Sequence, residues 1–451
     1  MTILSMSRVL LLLTIAVHES PAQEVPVNYI NEALSSNMVL KQKSISLNKS
    51  LLAVKEAKSL FMPTTWFEGS YTIAKGGRSI DIPVGDLMNP VYRTLNQLTG
   101  SDKFPQIGNV SEQLNPNNFY DFRIRTTMPV YNPDLSINRT LQEQRSELSQ
   151  IEVDIYRRTL VREVKVAYYN YLLAGKAIAI YENALELVNQ NLRMNLSLVK
   201  NGRGLQAYVS RAEAEITLVL SQLQNARNNL QNAQAAFNFL LNKSFTEPII
   251  NNDQGDTVAI QLPQEPDADI SRREELKSLT LSKAIHANQL RISKAFRQPR
   301  LNAFLDLASQ GYNMNFDRKT LYYLGGLQLQ VPIFSGGRNL YKIKQNSFDA
   351  RAVEYNSINT IQQLELAAIV SRNNLKTSRD IYLSSLKQQE AVKQYFKLIN
   401  RGYAEGVNSF IEFIDARNQV TTSMLQVVIN RYKMLIAIAD FEQQTASYSL
   451  K

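Results

Sequence analysis

The stretch "LQVPIFSGGRNL" (residues 329–340) decides how this chain is read. Leu327, Leu329 and Val331 alternate with Gly326, Gln328 and Gln330, the period-2 pattern of a strand with one apolar face. Pro332 removes a backbone donor and ends the ladder. Gly336 and Gly337 turn the chain, and from Arg338 to Leu398 neither glycine nor proline interrupts it. A strand thus passes into a very long helix. The same joint is written earlier as "TTMPVYNPDLSI" (126–137), with Pro129 in the place of Pro332, and Pro133 and Asp134 making the bend in place of the two glycines. Pro129 and Pro332 stand 203 residues apart.

Working outward from the two joints, the whole chain reads as a repeat. Downstream, "VKNGRGLQAYVSRAEAEI" (199–216) lines up with "YAEGVNSFIEFIDARNQV" (403–420), Gly202 falling on Gly406 and Ala212 on Ala416. Upstream, helices over about 28–61 and 269–297 each end before a proline, Pro63 and Pro299. Ser271 and Glu274 have capping-box spacing at the start of the second. A strand follows each proline, "TWFEGSYTI" in the first copy and "RLNAFLDLAS" in the second. A second strand follows a loop, "YDFRIRTTM" and "YLGGLQLQV", and all four alternate. The loop is long and rich in Pro, Asn and Gly in the first copy (75–117) and short in the second (310–319). Each long helix, at ~1.5 Å per residue, makes a rod of roughly 90 Å. A glycine-containing turn leads into a return helix. In the first of these Val209, Ala212, Ile216, Val219, Leu223, Ala226, Leu230, Ala233, Phe237 and Leu240 step by 3 and 4, the spacing of coiled-coil packing. The expected domains are a signal peptide (1–22), a first repeat (23–242), an equatorial linker (243–268) and a second repeat (269–451).

The signal reading rests on Arg8, the short apolar run Val9–Val17 and small residues at Ser20-Pro21-Ala22. The absence of cysteine and the presence of two histidines, His18 and His286, speak against thiolate metal sites and Ser-His chemistry. No cofactor is expected. The net charge of +10 comes from Lys and Arg scattered among Glu and Asp, as on solvated helix faces, so nucleic acid is not an expected partner. No P-loop or nucleophile elbow occurs, and an enzyme is not expected.

Strands with one apolar and one charged face suit a transmembrane barrel with lipid outside and water inside. An open edge in lipid leaves backbone groups unpaired, so the barrel must close. Four strands cannot enclose a useful channel, and cyclic symmetry is the simple remedy. Three chains would give twelve strands. The competing arrangement packs both hairpins on helices within one soluble domain. Export and the rods leaving each hairpin argue against it.

The joints "MPVYNP" and "VPIFSGGR" and the paired tip turns, above all "GYAEGVNSFIEFIDARNQV", resemble those of the TolC-like outer-membrane efflux proteins, over essentially the whole mature chain. The resemblance implies a mostly α fold with a shared twelve-stranded membrane β-barrel and a periplasmic coiled-coil α-barrel. It implies a homotrimer embedded in outer-membrane lipid, a mixed α/β girdle to which residues 242–269 contribute, and a passive exit duct for an efflux pump or type I secretion system. Its partners would be a periplasmic adaptor and an inner-membrane transporter. An exported coiled-coil scaffold without a pore is the alternative function.

Carried over from the family, Glu412 and Asp415 would ring the periplasmic gate. Ser409-x-x-Glu412 also has capping-box spacing, so Glu412 is equally expected to cap its helix. At the first tip Tyr208 stands where a second acid is often found, with Arg203 and Arg211 nearby. Gly202 and Gly406 are expected to take positive φ, and with Arg203, Val407 and Ser409 to form the adaptor-docking turns. By alternation Glu68, Asp121, Arg123, Arg125 and Asp306 face the barrel lumen, where the arginines would make the outer mouth less cation-selective than the tip. Pro129, Pro133, Pro332, Gly336 and Gly337 mark the junctions.

Overall fold

A computed structural model describes residues 26–250 and 267–450. The signal segment 1–22 and most of the linker, 251–266, lie outside the described residues. The element order runs twice. The first pass is α1 (Val27–Ser36), α2 (Met38–Ser59), β1 (Thr64–Thr72), β2 (Ser79–Ile82), α3 (Val84–Thr99), β3 (Val110–Gln113), β4 (Phe119–Tyr131), α4 (Pro133–Lys200) and α5 (Gln206–Leu240). The second is α6 (Glu274–Lys294) with a short 3-10 turn, β5 (Arg300–Tyr312), β6 (Leu321–Gln330), α7 (Arg338–Ala404) and α8 (Phe410–Thr445).

Two compact units result. One takes the described residues of Met1–Lys49, Ser146–Lys283 and Ala352–Lys451; the other takes Ser50–Arg145 and Ala284–Arg351. The first is helical. Its core gathers Leu160, Val164, Tyr168 and Leu172 of α4, Phe237 of α5, Ile30 and Ala33 of α1, and Tyr432 and Leu435 of α8. The predicted stripe of α5 is buried at Val209, Ala212, Val219, Leu223, Ala226 and Phe237. Its counterpart in α8 is buried at Phe413, Ala416, Met434, Ala437 and Phe441.

The second unit carries a four-stranded antiparallel sheet in the order β1-β4-β5-β6, so both predicted hairpins form and meet through β4 and β5. Trp66 opposes Arg125, Glu68 opposes Arg123, and Arg125 opposes Asp306. Directly opposed residues share a face. One face therefore collects the charged residues and the other collects Phe67, Tyr71, Ile124, Leu305, Leu307, Tyr323, Leu327 and Leu329, all exposed. A water-soluble domain does not leave such a surface uncovered.

Four expectations change. The first helix is broken at Asn37, whose side-chain oxygen accepts the N–H groups of Val39 and Leu40 and so starts α2 afresh. The 75–117 loop has structure of its own: β2 pairs with β3, and α3 packs between them in sequence. The Ser271–Glu274 capping box does not form. The Ser271 hydroxyl donates to Asp269 at 2.6 Å, and Glu274 is bound by the Arg158 guanidinium at 2.5 and 2.9 Å. At the first joint the ladder continues past Pro129 to Tyr131 through an irregular register, whereas at the second it stops at Gln330, two residues before Pro332.

Candidate functional site: a two-faced sheet and two helix-tip turns

The joints solve one problem in two ways. In the first, the Asn132 side chain accepts the N–H of Asp134 at 3.1 Å, and Pro133 is the first helical residue, where its missing donor costs nothing. In the second, Gly336 and Gly337 take φ of 62° and 78° before α7 starts at Arg338. An Arg300–Asp134 ion pair at 2.6 Å fastens the start of β5 to the start of α4.

On the charged face of the sheet, Arg125 grips Asp306 through two bonds of 2.7 and 2.6 Å, and Asp306 is 1% exposed. Arg123 pairs with Asp121 and lies 3.8 Å from Glu68. The five predicted residues thus share one face, but each arginine is matched by a carboxylate.

The tips belong to the helical unit. Gly202 and Gly406 adopt φ of 70° and 76°, as predicted. In each, the glycine N–H reaches back three residues, to Val199 and Tyr403. The next N–H reaches back five, from Arg203 to Leu198 and from Val407 to Gly402. These are paired Schellman closures. After the first, Leu205 opens α5 with no side-chain cap. After the second, Ser409 opens α8 with a complete capping box: its hydroxyl accepts the Glu412 N–H at 3.2 Å, and the Glu412 carboxylate accepts the Ser409 N–H at 2.7 Å. That backbone bond, with those from the Ser409 and Asn408 side chains, holds the Glu412 carboxyl below the usual carboxylate range. Asp415 is exposed on the same helix and accepts from Gln419 at 2.7 Å. Aromatic rings pack beneath: Tyr208 against Phe410, and Tyr403 against Phe410 and Phe413.

A model of the outer membrane efflux proteins matches residues 29–243 and 267–446. The chain belongs to this family. TolC of Escherichia coli (strain K12) is 21% identical over 428 residues, 90% of this chain and 78% of its own. The crystal structure of CusC superposes with a TM-score of 0.77 at 14% identity, over 93% of this chain and 91% of that one. That of VceC from Vibrio cholerae does so with a TM-score of 0.74 at 13% identity, over 93% and 95%. These likenesses fix the fold.

Sequence reasoning missed one feature of the tips. Glu215 of α5 and Arg417 of α8 are buried to 3% and 2% exposure and joined at 2.9 Å, with Arg211 on the other Glu215 oxygen at 2.7 Å. Burial lowers the affinity of the Arg417 guanidinium for its proton, against the pull of Glu215. The signal was faint: each residue flanks a stripe position, Ile216 and Ala416, and charge normally reads as solvent-facing. Gly204 and Gly402 also passed unnoticed. An added Cβ would lie 2.8 Å from the Val199 nitrogen at the first and 1.9 Å from the Asn408 side-chain oxygen at the second.

Proposed function

We propose that three copies of this outer-membrane efflux protein close a twelve-stranded barrel, pairing the β1 edge of one with the β6 edge of the next. The supporting observation is the sheet itself. It has two edges, one exposed apolar face and one face of paired charges. In lipid such edges must be paired and such a face is at home. The charged face lines the water path, and substrates pass without chemistry. The helical unit carries the path across the periplasm. At its end the tip turns present Leu205, Val407 and Ile411, all well exposed, to a periplasmic adaptor that links the duct to an inner-membrane transporter.

The gate reading divides between two carboxylates. Glu412 is engaged in its own helix cap, whereas Asp415 has only a side-chain amide one turn on. Asp415 is therefore the residue that three-fold symmetry would bring together as a ring attracting cations. The test is purification from the outer-membrane fraction, followed by conductance in planar bilayers. A heat-labile trimer with channel activity is expected. A soluble monomer without conductance overturns the proposal. Asp415→Asn is expected to relieve block by multivalent cations more than Glu412→Gln; the reverse order sinks the division of roles.

A further inference from the structure

The turn between β5 and β6 is folded down onto the apolar face of the sheet. Asn313 and Met314 both take positive φ, 54° and 57°. Asparagine tolerates this; methionine does so at a cost that the surroundings must offset. The offset is visible. The Asn313 N–H donates to the Asn118 carbonyl at 2.7 Å, and the Tyr120 hydroxyl donates to the Asn315 carbonyl at 2.6 Å. Phe316 lies 4.6 Å from the Tyr120 ring and stacks on Phe122 at 6.2 Å and 13°. Tyr120 is fully buried as a result.

Beside this folded turn, on the same face, runs a groove of about 520 Å³ walled by Phe67, Phe122, Ile124, Leu307, Leu321 and Tyr323. The groove is shallow and open along its length. Gly69 makes room for the Phe122 wall: a Cβ there would meet the Phe122 ring at 2.7 Å. Arg318 and Lys319 are exposed in the turn that runs from Phe316 to Leu321, the latter a wall of the groove. Neither side chain has a hydrogen-bond or ion-pair partner among the described residues. Their neighbour Asp317 accepts the N–H groups of Lys319 and Thr320 at 2.8 and 3.0 Å and offsets one of the two charges, so the turn is left with net positive charge.

We infer that this groove holds an acyl chain of a phosphate-bearing outer-membrane lipid, with Arg318 and Lys319 receiving the phosphate. The inference rests on the reading of the apolar face as lipid-facing. The occupant follows from the chemistry: the walls offer hydrocarbon and aromatic surface, which suits a chain, and the net positive turn that leads into Leu321 suits an anionic headgroup. A peptide would need free main-chain partners along the groove, and the main chain beneath it is already paired in the sheet.

The test uses the delipidated full-length trimer and native mass spectrometry, titrated with dimyristoyl phosphatidic acid, dimyristoyl phosphatidylcholine and inorganic phosphate. The wild type is expected to retain phosphatidic acid at least tenfold more tightly than phosphatidylcholine, and inorganic phosphate weakly. Arg318→Glu with Lys319→Glu should bring the two lipids level. Leu307→Trp, filling the groove, should weaken both; Ile124→Trp serves if that variant does not assemble. All should conduct as the wild type does. Equal retention by the wild type, a preference that survives the charge reversals, or indifference to groove filling would overturn the site. Tight binding of inorganic phosphate would reduce it to an anion site. Loss of conductance by the wild type itself would instead count against the channel.

Discussion

The two helix tips have the same backbone and different side chains. Each ends its long helix with a left-handed glycine and the same pair of reaching N–H bonds, and each opens its return helix from an extended residue three positions later. Both must also let the chain pass close to itself, between the residue four before the turn glycine and the one two after it. The first tip meets this with Leu198 and Gly204; the second meets it with Gly402 and Asn408. The glycine has changed sides of one contact. The repeat therefore preserves a distance and leaves the residues free. What that freedom allowed is visible: the second tip places a capping carboxylate and Asp415 where the first has Tyr208 and Arg211.

The largest effect is expected where the two return helices are tied together. Removing Glu215 leaves Arg417 buried with its charge uncompensated, and its Nε and Nη1 already lack hydrogen-bond partners among the described residues. Glu215→Ala should cost about 3–5 kcal/mol, read as lost hydrogen-exchange protection in both α5 and α8. The double change Glu215→Leu with Arg417→Met should restore most of it, because a packed apolar pair does not carry the desolvation cost. If Glu215→Ala loosens α5 alone, the tips are not coupled through this pair.

The exchanged glycines come next. A Cβ at Gly204 meets main-chain atoms, 2.8 Å from the Val199 nitrogen and 3.0 Å from the Leu198 carbonyl carbon, which cannot step aside. The three atoms nearest a Cβ at Gly402 all belong to the Asn408 side chain. Gly204→Ala should therefore destabilise its tip by about 1–3 kcal/mol, and Gly402→Ala by less. Asn408→Gly should rescue Gly402→Ala fully. Protease cleavage at each turn reads both. Failure of that rescue would show that the exchange of sides is not what holds the two turns alike. Smaller, and equal at the two tips, should be Gly202→Ala and Gly406→Ala. Nothing lies within 4 Å of either added Cβ, so only the left-handed backbone is penalised, by roughly 1–2 kcal/mol in thermal unfolding.

Much of this was written in the sequence. The strand faces were legible because period 2 is short and repeated four times, and the α7 start at Arg338 because two glycines precede a long stretch without breakers. The tip glycines were legible because each follows a helix and precedes another. The insert between β1 and β4 was not. Its strands are four residues each, too short to show alternation, and α3 carries Pro90 inside it. The Glu215–Arg417 pair was not, because its members lie 202 residues apart and only packing brings them together. The two S-x-x-E motifs read as helix starts show the limit most directly. Ser409 and Glu412 form the box. Ser271 and Glu274 do not, because Asp269 and Arg158 claim them first. Spacing states what a segment can do alone, and tertiary partners decide whether it does.

That box provides the finest comparison of the tips. Ser409→Ala should cost about 1 kcal/mol, and Leu205→Ser should give the first tip part of what the second already has. pH separates the cap from mere packing. The Glu412 carboxyl is held below its ordinary value by the bonds it accepts from Ser409 and Asn408. Its contribution is therefore fully present above the ordinary carboxylate pKa of about 4.3 and is lost as pH falls through the lowered folded value. The first tip has Tyr208 at that position and no carboxylate there. Protection factors of the first α8 amides should then fall on acidification relative to those of α5. The fall should vanish in Glu412→Gln, which can still offer an oxygen to the Ser409 N–H but no longer titrates. A fall of equal size at both tips would overturn the assignment of the acid sensitivity to the cap.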